Sequence, residues 1–176
     1  TNAGGSDTET KTDYITITSS CTNPTVTVNS ATTCSGSTAT MTATPSGGSG
    51  VYTTYTWSVP AGEPAPGNVA SFSASTAGTY TVAVSDNAGC TSSYANGTLT
   101  LNSLPTVTVN SPTTCAGSTV AVTASPSGGS SPYSTYTWTV PNGESAPGNV
   151  ATFNASTAGS YSVTVTDNNS CTSSSA

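Results

Sequence analysis

Five cysteines and seven carboxylates are nearly all the reactive side chains this sequence offers, because it has no histidine and only one basic residue, Lys11. Nucleophile–base catalysis needs a base that titrates near neutrality, and none is supplied. A carboxylate pair for glycoside cleavage would have to come from Asp7, Glu9, Asp13, Glu63, Asp86, Glu144 and Asp167. Glu63 recurs as Glu144 and Asp86 as Asp167, each alone in a stretch of turn-forming residues, where Asp accepts from its own backbone. They read as turn and solubility residues. Cys-x-x-Cys and Cys/His zinc spacings are absent, and the acidic residues form no calcium loop. The sequence therefore predicts neither an enzyme, nor a metal site, nor a cofactor.

Disulfide chemistry remains. Cys34 returns as Cys115 and Cys90 as Cys171, both at an offset of 81 residues, and Cys21 is left over. Paired, evenly placed cysteines in a small module indicate an oxidising, extracellular compartment. The net charge of −6 and the single cation argue against nucleic acid and anionic membrane surfaces as partners. No apolar run approaches a membrane span and no signal peptide is present, so membrane insertion is not expected and the chain reads as a mature or internal piece of a precursor.

The elements that must place the cysteines follow the same period. Residues 24–95 and 105–176 align without a gap, with about 50 of 72 positions identical. Ser and Thr supply 69 residues, alternating with Val, Ala, Tyr and Ile in short runs, a half-buried strand pattern with Thr on the wet face. The fold class is all-β: two tandem sandwich modules, 24–104 and 105–176, preceded by a segment at 1–20. In the first module strands are expected at 25–28 (A), 38–44 (B), 52–59 (C), 69–75 (E), from Tyr80 through Val84 (F) and at 98–101 (G). The Pro- and Gly-rich stretch 60–68 reads as a crossing loop. Trp57 and Trp138 are the expected core anchors.

Cys34, the Tyr55-Thr-Trp57 strand, the Ala77-Gly78-Thr-Tyr80-Thr-Val82 strand and the Asp86-Asn-Ala-Gly-Cys90 turn resemble the immunoglobulin-like and PKD-like repeats of large bacterial secreted or surface proteins. Residues 1–20 resemble the last turn and strand of a PKD domain. The resemblance covers nearly the whole chain and implies the fold, with Tyr80 at a corner tyrosine position. It implies an extracellular structural role more than a ligand.

Two consequences are expected of such modules. The pairs Cys34–Cys90 and Cys115–Cys171 would each close about 55 residues, provided that 60–68 is loop and strands B and F meet at one end. The fallback is a linker staple, Cys90–Cys115. Cys21 would pair with a cysteine outside the chain or cross-link one subunit to the next. Secondly, the counterpart of Leu99 and Leu101 is lacking after Ala176, which should leave an apolar groove and an open edge. A strand around Tyr14, Ile15 and Ile17 of another copy could fill it, giving a head-to-tail homopolymer. A downstream repeat of the same chain could do so equally.

The expected function is thus a subunit or repeat segment of a surface filament, fibril or adhesin stalk, joined by β-strand addition. The alternative is a carbohydrate-binding or spacer module of a secreted enzyme, with Tyr52 and Tyr133 as the aromatic platform for a surface polysaccharide. Asn96, Asn154 and Asn168 match the N-glycosylation acceptor pattern, which would make the chain a glycoprotein.

Overall fold

The computed structural model describes residues 21–176. The proposed assembly strand over Tyr14, Ile15 and Ile17 therefore lies outside the described residues. Those described contain strands, turns and loops but no helix.

Module one has one sheet in the order β1 (Pro24–Val28), β3 (Ala39–Gly47), β5 (Ser71–Ala74). Its second sheet runs β2 (Ala31–Cys34), β7 (Ala95–Asn102), β6 (Gly78–Asp86), β4 (Tyr52–Ser58). All ladders are antiparallel except β2 on β7, which is parallel. The chain thus leaves one sheet after β1 and joins the edge of the other as β2, in a stretch expected to be loop. Alternation fixes which faces meet: Met41 and Ala43 of β3 and Tyr80, Val82 and Val84 of β6 are buried between the sheets, while Thr40 and Thr44 face water. Trp57 meets Phe72 edge-on at 5.0 Å, and its indole N–H donates to Val69 O at 2.9 Å.

Module two repeats one sheet as β8 (Pro105–Val109), β9 (Val120–Gly128), β11 (Thr152–Ala155). Its other sheet holds β10 (Thr135–Thr139) and β12 (Ser162–Thr166). Val122, Ala124, Ala155, Val163 and Val165 are buried, and Trp138 sits on Phe153 at 5.0 Å.

Each module has an entry end and an exit end. In the first, Pro24, Gly47, Tyr52 and Asp86 mark the entry end through the β1–β3 and β4–β6 registers. Ala39, Ala74, Gly78 and Asn102 mark the exit end. Residues 60–68 contain no strand, yet they still travel the length of the sandwich. Glu63 is tied to Ser75 and Thr76 at the exit end, and Asn68 to Thr53 and Tyr55 at the entry end.

That traverse overturns the expected cysteine pairing. Strand β3 starts at the exit end, where β6 also starts, so Cys34 and Cys90 lie at opposite ends of β6, whose nine residues span about 30 Å. The disulfides are instead Cys21–Cys90 and Cys34–Cys171, with Cα separations of 5.7 and 5.6 Å. Cys115 is exposed and free, so neither Cys115–Cys171 nor the fallback Cys90–Cys115 forms. Cys21, expected to reach outside the chain, is bonded within it.

Candidate functional site

The functional features lie at the module ends, and the first is the joint. Cys34 ends β2 beside Asn102 of β7, whose carbonyl accepts from Ser35 N–H at 2.8 Å. Only Ser103 and Leu104 separate β7 from β8. Cys171 follows the turn after β12, at the entry end of module two. The Cys34–Cys171 bond therefore staples the exit of one module to the entry of the next. Cys21–Cys90 repeats this at the entry of module one, with Cys21 taking the role that Cys34 has for module two. The missed signal was the unmatched cysteine just ahead of the first module, which fits pairing across joints.

The turns that carry Cys90 and Cys171 are held by buried carboxylates. Asp86 Oδ1 accepts from the N–H groups of Ala88 and Cys90 at 3.0 and 2.9 Å, and Oδ2 from Ser49 N–H at 2.8 Å. Asp167 does the same with Asn169, Cys171 and Ser130. The Ser49 N–H, with those of Cys90 and Ala88, holds Asp86 below the usual carboxylate range. For Asp167, burial pulls the other way but is outweighed by its three N–H donors. At the exit ends, Glu144 Oε2 accepts from Ser156 and Thr157 N–H, and it is held at about 2, chiefly by the Ser156 bond. Glu63 is also lowered, its burial being outweighed by Ser75 and Thr76. Tyr80 completes this corner by donating to Thr76 O at 2.7 Å. All four carboxylates clamp loops and are not merely solubilising.

The second feature is a cavity of about 870 Å³ at the exit half of module two. Module one shows what such a space holds. There Leu99 of β7, 2% exposed, packs with Met41, Ala74 and Tyr80, with Leu101, Val28, Ala31 and Ala39 around them. The counterparts Val122, Ala155, Tyr161, Val109, Pro112 and Val120 all line the cavity. Its edge is already started: Ala176 exchanges both backbone hydrogen bonds with Val163 at 3.1 and 3.2 Å, the register of Ala95 on Val82. The ladder stops there. Strand β12 begins at Ser162, whereas β6 begins at Gly78, three positions earlier in the repeat. Residues 112–115, equivalent to β2, form no strand, and Tyr161 is half-buried where Tyr80 is fully buried. Cys115 sits on the rim.

The remaining candidates are scattered. Tyr52 and Tyr133 pack at the entry ends of β4 and β10, with their hydroxyls donating to Gly47 O and Gly128 O at 3.0 and 2.9 Å. Asn96, Asn154 and Asn168 are all exposed. Tyr94, 68% exposed, is the most open aromatic among the described residues and was not singled out by its sequence context. No group of three or more potential metal ligands gathers among the described residues.

Residues 105–176 match the PKD domain family. No curated protein matches the chain by sequence. Among solved structures, the N-terminal eight immunoglobulin domains of Down Syndrome Cell Adhesion Molecule superpose with a TM-score of 0.54 at 13% identity, covering 81% of this chain and 25% of that one. This chain thus spans about a quarter of that protein's length. Fibronectin(III)-like modules of CbhA from Clostridium thermocellum also match, with a TM-score of 0.40 and 13–15% identity across this group; they cover 87% of this chain and 90% of that one, at 14%. An I-band fragment of titin matches with a TM-score of 0.44 at 15% identity, covering 88% and 64%. The modules are immunoglobulin-like and PKD-like, a class of fold that is typically non-catalytic and, with two disulfides, points to an extracellular domain.

Proposed function

From an immunoglobulin-like, PKD-like fold with a covalent joint, we propose that this chain is a structural extracellular protein, a segment of a surface filament or adhesin stalk whose modules are joined head to tail by β-strand addition. It is not an enzyme in this reading. The observation that carries it is the Cys34–Cys171 bond, which spends a disulfide on the junction between modules instead of on either core. Cys115 occupies the repeat position of Cys34 and has the same chemistry available for a following module in an oxidising compartment. The partners are other modules of this type, in the same chain or in another copy.

The test is small-angle scattering and electron microscopy of the purified chain, oxidised and reduced, beside a version lacking residues 1–20. A structural segment gives one elongated particle whose length distribution broadens on reduction. Filaments formed only by the complete chain would assign assembly to Tyr14, Ile15 and Ile17. Saturable binding of polysaccharide through Tyr52 and Tyr133 would instead favour the carbohydrate module.

A further inference from the structure

We propose that the open edge of module two is a receptor for a β-strand of defined pattern: glycine opposite Tyr161, with apolar residues two and four positions later, as in Gly97-Thr-Leu99-Thr-Leu101. The proposal deepens the module-chain reading and rests on it, by specifying which strand the groove accepts.

Three observations set the pattern. The register is fixed, because Ala176 already occupies the first rung on Val163, as Ala95 does on Val82. Continuing that ladder places the second residue after it opposite Tyr161, where module one has Gly97 opposite Tyr80. A side chain is excluded there. A Cβ on Gly97 would collide with the carbonyl oxygen of Asn29 and come within 2.6 Å of Val28 Cγ1. Asn110 and Val109 stand in the same places in module two. Asn110 is locked like Asn29, donating to Ala121 O at 3.0 Å and accepting from Thr123 N–H at 2.7 Å. Lastly, the apolar floor for Leu99 and Leu101 exists in full, from Val109 and Val120 to Tyr161.

The pattern discriminates between donors. Aligning Ile15 and Ile17 with Leu99 and Leu101 puts Asp13 at the glycine position. There its side chain would meet the Asn110 carbonyl, a steric and electrostatic conflict. The occupant is therefore a strand of the β7 type from a following module, and a second copy's residues 11–17 are a poor fit.

The intact, oxidised chain would be titrated with the peptide Asn-Gly-Thr-Leu-Thr-Leu-Asn, the sequence of 96–102. Three further peptides complete the set: its Gly97→Ala form, its Leu99→Ser/Leu101→Ser form, and Lys-Thr-Asp-Tyr-Ile-Thr-Ile from 11–17. The first peptide should bind saturably, raise the melting temperature and slow amide exchange across 159–162. The other three should bind at least about tenfold more weakly, roughly 1.4 kcal/mol. No saturable binding, equal affinity for the alanine form, or tighter binding of the 11–17 peptide overturns the receptor. Peptide mapping of the same sample separates the two ideas: an intact Cys34–Cys171 bond with no peptide binding removes the receptor and leaves the stapled module chain standing.

Discussion

At the scale of single residues, the chain concentrates its few charges where they organise backbone. Glu63, Glu144, Asp86 and Asp167 each accept two or three N–H donors, and all four titrate below their ordinary values. Carboxylates with depressed folded-state values add stability that is complete above their unfolded values and disappears as pH falls through the folded ones. For Glu144 that window runs from 4.5 down to about 2. Thermal melting should therefore be flat above about pH 5 and fall steadily toward pH 2. Glu144→Gln should lower the neutral-pH melting temperature and flatten part of the acid slope, which calorimetry across pH would read. Sequence placed these residues in turns correctly. Their reach across loops was not legible, because Glu63 and Ser75 become neighbours only once the intervening segment has crossed the sandwich.

At the scale of elements, β7 organises its module. Its presence pairs the first half of β6, draws β2 into a parallel edge and buries Tyr80 completely. Module two, whose ladder stops at Ala176, lacks all three effects, so the repeat supplies its own control. Leu99→Ala should destabilise module one by about 2–5 kcal/mol, the range for emptying a buried leucine site. Gly97→Ala should lower its melting temperature as well, by pushing β7 away from Asn29, and should expose Tyr80 to solvent quenching of its fluorescence. The periodicity of Thr with Val, Ala and Tyr made most strands readable, and the lack of a Leu99 counterpart pointed to the groove. The cysteine pairing was misread for a specific reason. Cys34 belongs to β2, a four-residue strand on the opposite sheet from β3, and 60–68 crosses the sandwich without any strand signature.

At the scale of the whole molecule, the two disulfides are interleaved, since Cys34 lies inside the segment closed by Cys21–Cys90 and Cys171 lies outside it. This gives tension a short covalent route. A load applied at Cys21 can pass along residues 21–34, through β1 and β2, and leave across the bond to Cys171. Only 13 peptide units lie on that route, so its full extension is about 45 Å, whereas 150 units lie between the same two cysteines along the chain. In single-molecule pulling, the oxidised chain should lengthen by no more than a few tens of ångströms between these points. The reduced chain should release about 500 Å as both cores unravel. Reductant-insensitive extension would sink this expectation. The staples thus act as a strain limiter: the folded cores can be loosened under load, but they cannot be paid out as slack. A thread built this way keeps its length when pulled, and it becomes extensible only where its surroundings can reduce it.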